Sequence, residues 1–147
     1  MPCLSGDFNP AIGVIVQVVV VPGGQLGNIK SQQQGAGNQQ LTVNAPTANG
    51  LMDTGADATC ISEKLAKALN LKPTGKVQTV GVHGPEQVNQ HSVDLLLQFG
   101  AHAIGIPNLR VSEFKSISPN YDLLIGRDVI CQGVLTMTFN GRFTFSI

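Results

Sequence analysis

Apolar residues along this chain follow a period of two far more often than a helical period. Val14 to Val21 reads Val-Ile-Val-Gln-Val-Val-Val-Val, and Pro22-Gly23-Gly24 stops it. That β-branched density predicts a strand. Leu41 to Val43 restarts strand character, and Gly50-Leu51-Met52 runs into Asp53-Thr54-Gly55-Ala56. Val77 to Val82 alternates, and His83-Gly84-Pro85 marks a turn. Val88 to Phe99 then resumes as a strand with Leu95, Leu97 and Phe99 set against Leu96 and Gln98. Two strands about a Gly/Pro turn predict a hairpin. Ala103 to Val111 predicts a further strand, broken by Pro107. Tyr121 to Ile125 is a compact apolar run closed by Gly126. Val134 to Phe139 alternates up to Asn140-Gly141, a strong two-residue hairpin signal, and Arg142 to Ile147 follows. One segment departs from this rhythm. Glu63 to Leu69 has an apolar face of good helix formers after Ser62, a fitting N-cap, and Asn70 and Pro73 end it. The pattern predicts an all-β protein with one or two short helices.

Composition adjusts this picture in a few places. A length of 147 residues allows one domain with a real core. Residues 22–40 hold five Gly, six Gln and two Asn. With so little to bury, they predict a flexible loop or insertion within the same domain, so that residues 1–40 supply a leading strand and this loop to a core spanning 41–147. Charged residues make up 12% and the net charge is zero, against roughly 25% charged in an ordinary soluble domain. That balance argues against nucleic acid and against a polybasic membrane patch. Cys3, Cys60 and Cys131 are odd in number and lack CxxC spacing, which predicts reduced thiols rather than a disulfide framework or zinc site. Ala11 to Val21 is shorter than the ~20 residues of a membrane helix, and no basic region precedes it. The expectation is a soluble cytoplasmic protein.

Chemistry concentrates at Leu51-Met52-Asp53-Thr54-Gly55-Ala56-Asp57. An acid leaves an apolar strand and is followed by a hydroxyl and two small residues, which let the backbone turn tightly behind the carboxylate. Taken alone, this is also how an Asx-turn reads, with Asp53 capping a bend. A second element lies far downstream at Leu123-Leu124-Ile125-Gly126-Arg127-Asp128, an apolar run followed by a glycine and a helix-like exit.

Asp53-Thr54-Gly55-Ala56-Asp57-Ala58-Thr59 resembles the active-site signature of the retropepsins, the aspartic proteases of retroviruses and their cellular and bacterial relatives. Leu124-Ile125-Gly126-Arg127-Asp128 is similar to that family's second signature. Both appear in the family's order, and the resemblance spans about residues 41–147. It implies a closed or partly open β-barrel of the acid-protease type. It also implies an aspartic endopeptidase with Asp53 as the catalytic aspartate. Thr54 would hydrogen-bond across a dimer axis, Gly55 would approach the substrate backbone, and Ala56 and Asp57 would bind substrate main chain, Asp57 pairing with Arg127. Gly126 and Arg127 would brace the loop. Val80, Gly81, Val82, His83 and Gly84 would form a flap over the peptide. Since only one such Asp-Thr-Gly occurs and attack of water on an amide needs two carboxylates, the implied enzyme is a homodimer acting on a peptide or protein, without cofactor or metal. The alternatives are a peptide-binding or dimerisation module on the same fold with little turnover, and a precursor that removes residues 1–40 by self-cleavage.

Other reactive residues have plainer readings. His83, His91 and His102 are too scattered for a zinc site and suit packing or solvent-facing roles. Cys60, without a poised histidine, suits packing, and Ser62 suits a helix cap. Asp122 and Asp128 suit surface or turn positions. The Pro22-Gly23-Gly24 region lacks the lysine and helix of a phosphate loop.

Overall fold

A computed structural model of the chain describes residues 2–27, 46–81, 83–99, 102–116 and 118–147. Most of the Gln/Gly-rich segment and the strand expected at Leu41–Val43 lie outside the described residues, as does Val82. The elements run β1 (Cys3–Asp7), β2 (Ile15–Pro22), β3 (Thr47–Met52), β4 (Cys60–Ser62), α1 (Glu63–Ala68), β5 (Gly75–Gly81), β6 (Gly84–Phe99), β7 (His102–Phe114), β8 (Leu123–Ile125), α2 (Arg127–Ile130), β9 (Val134–Met137) and β10 (Arg142–Ser146). No helix among them is long and apolar enough to cross a membrane.

The larger sheet follows the order β2-β3-β8-β4-β7-β6-β5, and an extra pairing of β2 with β6 closes its first six strands into a barrel. Among the described residues, β5 stays outside the barrel and pairs with β6 alone. Most neighbours are antiparallel; β3–β8 and β4–β7 are parallel. Interior positions hold Val16 and Val18 of β2, Val93, Leu95 and Leu97 of β6, Val111 of β7, Ile61 of β4, and Leu123 and Ile125 of β8. Each such side chain contributes about 1.5–3 kcal/mol by leaving water.

The near-continuous apolar run of β2 has a direct cause. Val16, Val18 and Val20 face the barrel interior, while Val19 and Val21 pack outside it with Leu26 and Leu96. Both faces are covered, so alternation is lost except at exposed Gln17. Leu96 is buried for the same reason, although the alternation of β6 places it on the outward side.

Pro107 does not break its strand. β7 continues from His102 to Phe114 because two residues, Pro107 and Asn108, sit opposite Asp94 alone, between the pairs Val93–Leu109 and Leu95–Ile106. This bulge removes the need for the missing proline N–H. Asn108 takes a positive φ of 52° there, and its N–H donates to the buried Asp94 carboxylate at 2.7 Å. The other carboxylate oxygen accepts the Leu26 N–H at 2.8 Å.

The smaller sheet, β1-β10-β9, packs Phe143 and Phe145 into the same core. Its β9–β10 hairpin turns where the sequence predicts, but through three residues, Phe139-Asn140-Gly141, and not two: the Thr138 N–H donates to the Arg142 carbonyl at 2.8 Å and Gly141 takes a left-handed φ of 78°. β1 is not predictable from Cys-Leu-Ser-Gly-Asp, which has little apolar alternation. It forms because β10 offers it a complete ladder from Cys3–Ser146 to Asp7–Arg142.

Candidate active site

The two sequence signatures meet through the parallel pairing of β3 and β8, which sets Gly50 opposite Leu123, Leu51 opposite Leu124 and Met52 opposite Ile125. Gly50 permits this approach: a Cβ there would lie 2.7 Å from Ile125 Cδ1. Asp53 leaves β3 with its N–H donating to the Ile125 carbonyl at 2.9 Å. The chain then turns. The Gly55 N–H donates to Asp53 Oδ1 at 2.9 Å, and the Ala56 N–H donates to the Asp53 carbonyl at 3.2 Å. This is an Asx-turn geometry, so the capping and the functional readings of Asp53 describe one arrangement. Asp53 is half-buried, while Thr54 and Gly55 are exposed.

β8 delivers Gly126 against the far side of the same turn. A Cβ on Gly126 would lie 2.5 Å from the Ala58 carbonyl carbon and 2.9 Å from the Thr59 nitrogen. Its backbone is extended, with φ −84° and ψ −176°, so glycine is required here for space and not for conformation. The Arg127 N–H donates to the Ala56 carbonyl at 2.9 Å. The Arg127 guanidinium pairs with Asp57, as expected, but Asp57 is 86% exposed, so this pair adds at most about 1 kcal/mol.

Asp128 does more than fill the surface or turn position expected for it. Its Oδ1 accepts the Thr59 hydroxyl at 2.7 Å and the Val129 N–H at 3.0 Å, and its Oδ2 accepts the Thr59 N–H at 2.9 Å. Thr59 is fully buried, and its hydroxyl oxygen also accepts the Gly126 N–H at 3.1 Å. The Thr59–Asp128 pair therefore clamps the two signatures. Its only sequence trace is a hydroxyl six places after Asp53 and an acid two places after Gly126. Asp122 is likewise engaged, accepting the Ser62 hydroxyl at 2.9 Å. Ser62 caps α1 as predicted, accepting the Leu65 N–H at 3.0 Å.

Cys60 follows the clamp, with its sulfur 3.3 Å from Ser112 Oγ. Burial pushes its thiol pKa up from the ordinary 9.0. The charges of Asp128 and Asp53 push the same way, and the Ser112 hydrogen bond opposes them. A thiol held protonated is a poor nucleophile, which agrees with a packing role. His91 is also a packing residue, buried with Nε2 2.7 Å from Glu113 Oε1.

The expected flap is the β5–β6 hairpin. Its ladder closes at Gly81–Gly84, with Gly84 at φ 97°. Pro85 is part of β6 opposite Val80 and not part of the turn. Val80 is 83% exposed, and a cavity of about 340 Å³ alongside is lined by Thr79, Gly81, His83 and Gly84 together with Glu63 and Phe114. The structure thus gathers Asp53 to Asp57 with Gly126 and Arg127, and leaves the hairpin tip without a hydrogen bond to that group among the described residues.

The sequence model described as aspartyl protease matches residues 39–139. No curated protein matches the sequence. Among solved structures, a retropepsin-like aspartic protease from Rickettsia conorii superposes with a TM-score of 0.60 at 10% identity, covering 97% of this chain and 89% of that one. A foamy viral protease-reverse transcriptase solved with an RNA/DNA hybrid gives a TM-score of 0.44 at 19% identity, covering 84% of this chain and 13% of that one.

Proposed function

Because the chain belongs to the aspartyl protease family and has the retropepsin-like fold, we propose that it is an aspartic endopeptidase that works as a homodimer. The observation that carries this is the half-buried Asp53, whose carboxylate accepts the Gly55 N–H, whose backbone N–H donates to the Ile125 carbonyl, and whose turn is braced from behind by Gly126.

One Asp53 is half of a site. In a two-fold dimer a second Asp53 faces the first, and two like charges so close cannot both ionise, so the pair shares a proton. The charged carboxylate takes a proton from water as the water oxygen attacks the peptide carbonyl. The neutral carboxylate gives its proton to the carbonyl oxygen. Collapse of the tetrahedral species breaks the C–N bond: the amine leaves with the proton the first carboxylate had taken, and a hydroxyl on the former carbonyl carbon returns its proton to the second carboxylate, which restores the pair with one shared proton. Thr54 and Gly55, exposed at the turn, face the partner and the substrate backbone. Ala56 and Asp57 flank the peptide, and the β5–β6 hairpin, with Val80, Gly81, Val82, His83 and Gly84 at its tip, closes over it. An extended peptide fits this β-rich setting by main-chain pairing.

The test is cleavage of a peptide library by the purified protein and by Asp53→Asn. General acid–base catalysis contributes typically about 10²–10⁴-fold, so the variant should fall by at least that much. Equal rates in the two proteins would remove Asp53 from the mechanism.

A further inference from the structure

β6 and β7 share a ladder whose last pair towards the hairpin is Gln90–Ser112. Beyond that pair the two strands fork. β6 continues to Gly84 as one arm of the β5–β6 hairpin, while Glu113 and Phe114 of β7 pair with Ile61 and Ser62 of β4. The cavity of about 340 Å³ beside the hairpin tip lies in this fork, with Gly81 and Gly84 of the tip, Val88, Phe114 and Glu63 in its lining. That volume is near the lower end of the roughly 300–1,000 Å³ of small-ligand sites, which suits one long side chain and not a stretch of peptide.

The charged groups of the lining are Glu63, Glu86, Glu113 and Lys115, with His83 beside them. Three of the four have partners. Lys115 Nζ pairs with Glu86 Oε1 at 3.2 Å, which ties the outer part of the β6 arm to the end of β7. Both oxygens of Glu113 are used at the base of the fork: Oε2 accepts the Asn89 amide at 3.2 Å, and Oε1 lies 2.7 Å from Nε2 of buried His91. Glu63 differs. It is half-buried in the first turn of α1, and among the described residues its carboxylate has no hydrogen bond or ion pair. Three carboxylates against one ammonium leave the cavity negative, with one acid free to meet an incoming charge.

We propose that this cavity is a specificity pocket for one basic side chain, arginine or lysine, of the peptide that the hairpin covers. The aliphatic stem lies along Val88 and Phe114, and the cationic head pairs with Glu63. The Phe114 ring adds its own attraction for a cation. An acidic side chain would meet these carboxylates as like charges, and an apolar one would cover Glu63 without pairing it. Gly81 and Gly84 belong both to the hairpin tip and to the cavity lining, so a peptide under the tip passes beside the pocket. This rests on reading the β5–β6 hairpin as the lid of a peptide site, a reading that by itself leaves the side-chain preference open.

The test takes a cleaved member of a random peptide library and varies one position at a time among arginine, norleucine and glutamate. Values of kcat/KM are compared for the wild type, Glu63→Gln and Glu63→Lys. At one position the wild type should favour arginine over norleucine by at least about tenfold. Glu63→Gln should collapse that ratio towards unity, and Glu63→Lys should turn the preference at the same position to glutamate. Each ratio compares two peptides on one protein, so a general loss of stability or activity does not move it. A wild type with no basic preference, or a preference that Glu63→Gln leaves intact, overturns the proposal and leaves the peptidase reading standing. If no peptide is cleaved, the peptidase reading fails and the pocket is tested alone. Acetyl-arginine-methylamide and its norleucine analogue are then titrated by NMR into isotope-labelled wild type and Glu63→Gln. Saturable shifts of the Glu63, Gly81 and Phe114 amides with the arginine probe only, lost in Glu63→Gln, uphold the pocket; their absence in the wild type overturns it.

Discussion

Asp128→Asn tests the clamp behind the active-site turn with almost no change of shape. The carboxylate accepts three hydrogen bonds, two of them from fully buried Thr59. An asparagine cannot replace all three. With its oxygen at the Oδ1 position it keeps the Thr59 hydroxyl and the Val129 N–H, but its amide then faces the Thr59 N–H, donor against donor. With its oxygen at Oδ2 it keeps the Thr59 N–H, and the Thr59 hydroxyl proton loses its acceptor. The second orientation costs less, because Val129 N–H retains the Gly126 carbonyl at 3.1 Å. A bond to a charged acceptor is worth about 1.5–3 kcal/mol against about 0.5–1.5 for a neutral one, so a loss of about 2 kcal/mol follows. In a chain of this length that lowers the melting temperature by about 4–8 °C. Urea unfolding at fixed protein concentration should show a lower midpoint with an unchanged slope. A second readout is the reactivity of Cys60. The Asp128 charge helps raise the Cys60 pKa, so the variant should alkylate faster at Cys60. A midpoint within about 0.5 kcal/mol of wild type, with Cys60 reactivity unchanged, would refute the clamp.

Gly126→Ala should destabilise by about 1–3 kcal/mol, because its Cβ meets the Ala58 and Thr59 backbone and not a side chain that could swing away. Peptidase activity should fall further than stability, since a shift of ~1 Å at a reacting group can cost about 10²-fold; a variant as stable and active as wild type would sink the steric account. Iodoacetamide labelling read by mass spectrometry should modify exposed Cys3 and Cys131 before Cys60 at neutral pH, and Cys60 labelling first would contradict its burial. The folded Cys60 thiol ionises at higher pH than the unfolded one. Its contribution to stability is therefore complete below 9.0 and is lost as pH rises through the folded pKa, which a Cys60→Ser comparison across that range would reveal.

Local features of the fold were legible where one residue type dictates one local geometry. The Ser62 cap and the β-branched run of β2 formed as expected, and Asn140-Gly141 marked the place of its turn but not its three-residue length. Pro107 misled because the cost of a proline in a strand depends on what lies opposite, and Asp94 lies 13 residues away in the chain. β1 was invisible because its stability resides in its partner β10. The candidate site divides in the same way. Asp53, Gly55 and Gly126 carry a composition that reads locally. The Thr59–Asp128 contact joins residues 69 positions apart, and neither carries a mark of it.

The parallel pairing of β3 and β8 explains why the two signatures stand so far apart. Parallel neighbours cannot be joined by a tight turn; the chain must travel back before it can run alongside itself. Here the return path is β4 to β7, which builds most of the barrel and the β5–β6 hairpin on the way. Because both strands run in one direction, their exits fall at the same end, so Asp53 after β3 and Gly126 after β8 necessarily meet. The barrel thus holds one carboxylate in a turn whose rear is packed too tightly for a methyl group and whose front is open. The rear packing limits movement of Asp53, and the open front leaves Thr54 and Gly55 exposed.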